Sequence, residues 1–200
     1  MVTLNNQNLQ TSFDRDCYIS ISPLFSVEKV EEIKNELIRY IKEVAPNVPD
    51  HHIFYENKDD KTSIKQLQQM FTYDDYFKEL IENSPIREVA EIVLREKAEP
   101  KNLQFFNKPP GIGKPTPPHQ DGYYFMLKKH NAVTCWLALE KVDEENGCIH
   151  YVKGSHKLEY RPHGRSNVLG FSQGITDFGN NDDKKNTVSF PGCLLYTSPS

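Results

Sequence analysis

The sequence predicts an α+β protein whose core is a β-sandwich or jelly roll. Two observations predict it. Apolar residues recur at helical spacing through the first half of the chain, and short aromatic or alternating runs replace them after Pro100. With 200 residues the chain suits one domain with a sizeable core.

From Val27 the residues Val30, Ile33, Leu37, Ile41 and Val44 return at steps of three and four, which predicts an amphipathic helix. Ser26 is placed to cap it, and Glu28 suits the positive end of its dipole. A second amphipathic helical stretch is expected through Ile64, Leu67 and Met70. Ser84-Pro85 then supplies a cap and a proline at the first helical position, ahead of Ile86, Val89, Ala90, Val93 and Leu94. Beyond Pro100, Leu103 to Phe106 and Tyr123 to Leu127 read as strands. So does the alternating run from Ala132 to Leu139, with Ala132, Thr134, Trp136 and Ala138 on one face. Asn146-Gly147 predicts a hairpin turn returning through Cys148 to Val152. The Gly-, Asn- and Asp-rich stretch from His163 to Thr187 reads as a long surface excursion.

Composition narrows the function classes. A net charge of -4 gives no electrostatic reason to bind nucleic acid or an anionic membrane. No run of apolar residues is long enough to span a bilayer, and the polar stretch Met1 to Ser12 lacks the apolar segment of a signal peptide. Cys17, Cys135, Cys148 and Cys193 have no paired spacing and read as reduced thiols, so a cytoplasmic location is expected.

Chemistry concentrates at His119-Gln120-Asp121, behind Pro115-Thr116-Pro117-Pro118. The prolines bias this segment towards extended backbone, where side chains two residues apart point the same way. Imidazole and carboxylate then converge, as two thirds of the facial triad that holds non-haem Fe(II). Spacing alone is weak, because seven histidines and twelve aspartates yield about 0.4 such triplets by chance. Of the other histidines, His51, His52, His130, His150, His156 and His163 are each expected in structural or solvated roles.

From Gln104 to His156 the chain resembles the phytanoyl-CoA dioxygenase family of Fe(II)/2-oxoglutarate-dependent oxygenases. The segments that carry the resemblance are Asn107-Lys108-Pro109-Pro110, His119-Gln120-Asp121 with Tyr124-Phe125, Trp136, Glu145-Asn146-Gly147-Cys148 and Gly154-Ser155-His156. Ile64-Lys65-Gln66-Leu67-Gln68 is similar to the family's segment upstream of the barrel. The resemblance implies a double-stranded β-helix (a cupin-like jelly roll) with the N-terminal helices packed on it and a metal at one end. It implies His119 and Asp121 as iron ligands and Lys65, Gln104 and Trp136 as contacts to 2-oxoglutarate. A dianionic keto-acid needs such a cation, amide and flat apolar wall. The implied activity is O2-dependent hydroxylation of a small organic or acyl substrate, with release of succinate and CO2. Asp121 argues against the halogenating relatives, whose carboxylate position holds a small residue.

The family's distal histidine and its 2-oxoglutarate-binding arginine follow a Gly-Asp turn. This chain reaches Phe190-Pro191-Gly192 and continues Cys-Leu-Leu-Tyr-Thr-Ser-Pro-Ser. One reading frame of the transposon-end adapter common in sequencing libraries encodes those same eight residues. Residues 1–192 are therefore expected to form one domain, incomplete at its C-terminus, with 193–200 a non-native tail. A genuine chain end at Ser200 would instead favour a non-catalytic binding module on the same fold. With two of three ligands, the chain as written should bind iron weakly and produce no succinate. An assay with Fe(II) and 2-oxoglutarate checks this, and robust turnover would contradict it.

Overall fold

The structure is a computed structural model that describes residues 6–111, 113–125 and 131–190, together with the backbone of residues 195–199. Met126 and Leu127, His130, Pro191-Gly192 and Cys193 lie outside the described residues.

The N-terminal half opens with helix α1 (Asn6–Asp16) and strand β1 (Ile19–Ile21). Helix α2 (Val27–Arg39) runs on into a π-helical turn at Tyr40–Val44. Ser26 caps α2 as expected, its hydroxyl accepting from the Lys29 N–H at 3.3 Å. Strands β2 (Ile53–Tyr55) and β3 (Ile64–Leu67) follow, then helices α3 (Met70–Tyr73), α4 (Asp75–Glu82) and α5 (Pro85–Leu94). Asp74 caps α4 and is gripped by Arg39 at 2.7 Å, which fixes α4 against the end of α2. Ser84 caps α5 with proline behind it, again as expected.

The helix expected through Ile64 and Leu67 is not formed. Those residues are β3, the middle strand between β2 and β4 (Phe105–Phe106). All four β3 residues are buried. A strand covered on both faces has no polar face to alternate with, so the three-residue spacing of Ile64, Leu67 and Met70 mimics a helix. Lys65 is therefore 2% exposed rather than solvated on a helix surface.

The C-terminal half contains a one-turn helix α6 (Gly122–Phe125), strands β5 (Val133–Leu137), β6 (Ile149–Val152), β7 (His163–Val168) and β8 (Phe171–Ile175), helix α7 (Asn181–Asn186) and strand β9 (Thr187–Phe190). Backbone strand β10 (Leu195–Pro199) lies between β1 and β5, antiparallel to both. Three sequence expectations are corrected here. Tyr123 to Phe125 is helical because the Asp121 carbonyl accepts from the Tyr124 and Phe125 N–H groups, at 2.9 and 3.2 Å. Asn146-Gly147 does turn the chain, with Gly147 at φ +89°, but β6 pairs with β9 and β5 with β10. A turn signal fixes local backbone and leaves the choice of ladder partner to the tertiary fold. The supposed surface excursion is an antiparallel β7–β8 pair followed by α7, whose Asn180 and Asp183 form a capping box.

Strand β5 separates two environments. Val133 and Cys135 pack with Phe13, Ile19, Ile21, Val89 and Val93, beneath α1 and α5. Leu137 joins the larger core of Ile33, Leu37, Tyr40, Leu67 and Phe77 under α2 and α4. Burial pushes the Cys135 thiol up to about 12, so it stays protonated at neutral pH. By strand alternation, Thr134 and Trp136 face away from those helices.

Helix α1 is held to the second half by Asp16. Its side chain pairs with Arg15 at 2.5 Å and with Lys153 at 3.3 Å, while its carbonyl accepts from the Gly154 N–H at 2.9 Å. Its hydrogen bond to Arg15 holds the carboxyl down at about 2, against the opposing effect of burial. A depressed folded-state value stabilises the protein above the unfolded value and is lost as pH falls through the folded one. Thermal melts should therefore show stability dropping from about pH 4 towards pH 2. Asp16→Asn should flatten part of that slope; a variant with an unchanged slope would contradict the assignment.

Candidate metal centre

His119 and Asp121 lie on a segment without regular structure that ends in α6. They converge all the same, with His119 Nε2 3.2 Å from Asp121 Oδ1. Two local bonds set this up. His119 Nδ1–H donates to the Pro117 carbonyl at 2.8 Å, which turns Nε2 towards Asp121. Thr134 Oγ1 donates to Asp121 Oδ2 at 2.6 Å, leaving Oδ1 towards the imidazole. Burial lowers the affinity of His119 for a proton, but the hydrogen bond and charge of Asp121 outweigh it and the net shift is upward. Burial likewise pushes Asp121 up, and the bonds from His119 and Thr134 bring it below the usual carboxylate range.

Strands β7 and β8 cover this segment. The Ile175 N–H donates to the Pro118 carbonyl at 2.8 Å, and Gly174 permits the approach, since a Cβ there would sit 3.1 Å from Pro117. Phe171 lies against the His119 ring with centroids 5.0 Å apart, and Tyr124 donates its hydroxyl to the Gln173 carbonyl. Gln120 is held at two points: its N–H donates to His163 Nε2 at 3.3 Å and its side-chain oxygen accepts from the Arg161 N–H at 2.8 Å. His163 Nδ1–H donates to the Arg161 carbonyl at 2.8 Å, and its ring stacks on Tyr123 with centroids 4.0 Å apart. The sequence reading missed Phe171, Gln173 and His163 as neighbours of the centre, and placed Thr134 only on the Trp136 face of its strand, as a small neighbour leaving room for a ligand. The apolar Phe171 and Ile175, four residues apart in a Gly-rich stretch, were the only signal for β8.

The residues expected around 2-oxoglutarate are placed as follows. Trp136 follows Thr134 on the same face of β5, the face that meets Asp121. Gln104 is exposed and its side-chain oxygen accepts from Gln66 Nε2 at 2.7 Å. Lys65 is paired with the buried Glu56, its ammonium 2.9 Å from Oε1. The pair is a close charge contact without an aligned hydrogen bond, because Lys65 Nζ has no partner of hydrogen-bond geometry among the described residues. β3 connects to the centre through rings: Phe106 pairs with Gln66 across the ladder and packs on Phe171, which packs on His119. Lys108 donates to the Gly147 carbonyl at 3.0 Å, and burial pulls its ammonium below the ordinary lysine value. His52, His150 and His156 bond to Tyr73, to Ser189 and to the Asp14 carbonyl respectively.

The family model for phytanoyl-CoA dioxygenase (PhyH) matches residues 13–192. The chain belongs to the phytanoyl-CoA dioxygenase family. Among its relatives is the peroxisomal phytanoyl-CoA dioxygenase of Mus musculus, 35% identical over 101 residues, which cover 46% of this chain and 30% of the mouse protein. The match thus spans about a third of that relative's length. Among solved structures, EctD from S. alaskensis with bound Fe is similar at a TM-score of 0.77 and 14% identity, over 98% of this chain and 68% of that one. A second EctD structure, with 2-oxoglutarate and 5-hydroxyectoine, gives a TM-score of 0.76 at 14% identity over 98% of this chain and 67% of that one. These likenesses establish the jelly-roll fold. No helix among the described residues is long and apolar enough to cross a membrane.

The buried Lys65–Glu56 pair yields a stability test. Lys65→Met leaves Glu56 as an uncompensated buried charge and should cost about 3 kcal/mol. Adding Glu56→Gln should recover much of that loss in denaturant titrations. Additive losses in the double variant would show that the two charges do not interact.

Proposed function

We propose that the intact protein is an Fe(II)- and 2-oxoglutarate-dependent dioxygenase acting on a small organic or acyl substrate. The observation that carries this reading is the convergence of His119 Nε2 and Asp121 Oδ1 at 3.2 Å. Two ligands at right angles on an octahedral ion, each about 2.1 Å from it, stand about 3 Å apart. The donor set therefore fits the first two members of a His-Asp-His triad. Among the described residues no group of three or more His, Cys, Asp and Glu side chains is placed to hold a metal.

In this reading His119 and Asp121 hold the iron, and the Pro117 carbonyl keeps the imidazole in the tautomer that offers Nε2. Bound iron, with 2-oxoglutarate and O2, supplies the oxidising chemistry that releases succinate and CO2. Trp136 offers the co-substrate a flat wall beside Asp121. Lys65 offers a cation, which Glu56 now neutralises, so co-substrate binding has to compete for or share that charge. Gln104 is assigned to the same co-substrate through its amide, on the family resemblance. Phe171 and Tyr124 exclude water from the side of His119 covered by β8. The family relationship and the Fe- and 2-oxoglutarate-bound EctD structures support this reading.

Titrating Fe(II) under argon into the protein and its His119→Ala and Asp121→Ala variants tests the ligand set. Each variant should lose at least about tenfold in affinity, because two-ligand binding depends on both. Equal binding by wild type and variants would refute it.

A further inference from the structure

We infer that Thr134 is a positioning residue for Asp121, holding one carboxylate oxygen so that the other alone is presented beside His119. The inference rests on the reading of His119 and Asp121 as metal ligands. The Thr134 hydroxyl lies 2.6 Å from Oδ2, and Oδ1 lies 3.2 Å from His119 Nε2, so the two oxygens have separate partners. Asp121 stands where the irregular segment turns into α6, and its backbone carbonyl is occupied by the N–H groups of Tyr124 and Phe125. Those bonds fix the backbone and leave the carboxylate free to rotate.

The hydroxyl that stops this rotation comes from the second residue of β5. Its neighbours Val133 and Cys135 are wedged against Ile19, Val89 and Val93. The donor thus stands on a rigid element and reaches a ligand on an irregular one, which is the arrangement that pre-organises a site. The consequence is for coordination number. A carboxylate free to turn can chelate an ion through both oxygens. On an octahedral ion that takes one of the positions a keto-acid and O2 require. Thr134 keeps Asp121 to one oxygen and so keeps that position open.

Threonine to valine removes the hydroxyl at nearly constant shape, and threonine to serine keeps it. The experiment titrates Co(II) into the full chain, follows quenching of the single tryptophan, Trp136, and records the visible Co(II) spectrum. Thr134→Val should bind Co(II) about tenfold more weakly, with altered visible bands, while Thr134→Ser stays within about twofold of wild type. Wild-type binding and bands in Thr134→Val would overturn the inference. So would a Thr134→Ser variant as weak as Thr134→Val, since packing rather than the hydroxyl would then matter; this arm stays decisive if the valine variant folds poorly. Asp121→Ala is the control on the underlying reading. If it binds Co(II) as wild type does, the ligand assignment itself fails, separately from Thr134.

Discussion

The segment that carries His119 and Asp121 has no strand ladder of its own, so its shape depends on bonds from outside it. First among these is the hydrogen bond from Thr134 to Asp121, which ties the ligand turn to β5. Behind β5 stand α1 and α5, with Val133 and Cys135 packed among their apolar side chains. On the other flank β8 adds the Ile175 bond to Pro118 and the Phe171 ring. The three prolines before His119 supply no N–H groups, and their carbonyls are what the surroundings bind: Pro117 takes His119, Pro118 takes Ile175. A proline-rich run suits this role because it needs few partners and stays extended without a ladder.

How much was legible in the sequence follows from the range of each interaction. Ser26 and Ser84-Pro85 were readable because a cap is completed within three residues of itself. The convergence of His119 and Asp121 was readable for the same reason, although the backbone there is irregular rather than a sheet strand. Strand β3 was not, because its second partner, Phe105 to Phe106, lies far along the chain and burial of all four of its residues removes the alternation that marks a strand. Nor was the placement of His163 beside Gln120, a contact across 43 residues. The Asn146-Gly147 signal sits between these cases: the turn is local and formed, the pairing is distant and differs.

Lys65 shows how burial constrains a charged side chain. A lysine amid apolar residues has to be paired, and Glu56 provides the partner within the protein. Such a pair contributes little net stability, since desolvating both ions offsets their attraction. In the proposed reading this charge has a use. A dianionic co-substrate is the ligand class that such a cation could attract, at the expense of its contact with Glu56.

Fold and site rest on different kinds of evidence, and backbone pairing shows why. Ladder hydrogen bonds use groups that every residue but proline carries, so a jelly roll tolerates wide changes of side chain. EctD shares the architecture over 98% of this chain at 14% identity. Leu195–Pro199 pairs with both β1 and β5 through the backbone. The centre has no such tolerance. Its geometry needs an imidazole whose Nδ1 meets Pro117, a carboxylate two residues later and a hydroxyl donor from β5. Losing any one of these changes what is presented to a metal while leaving the ladders intact. On the reading of His119 and Asp121 as metal ligands, a relative that kept the sheet and lost one of the three would match this fold equally well and differ in chemistry.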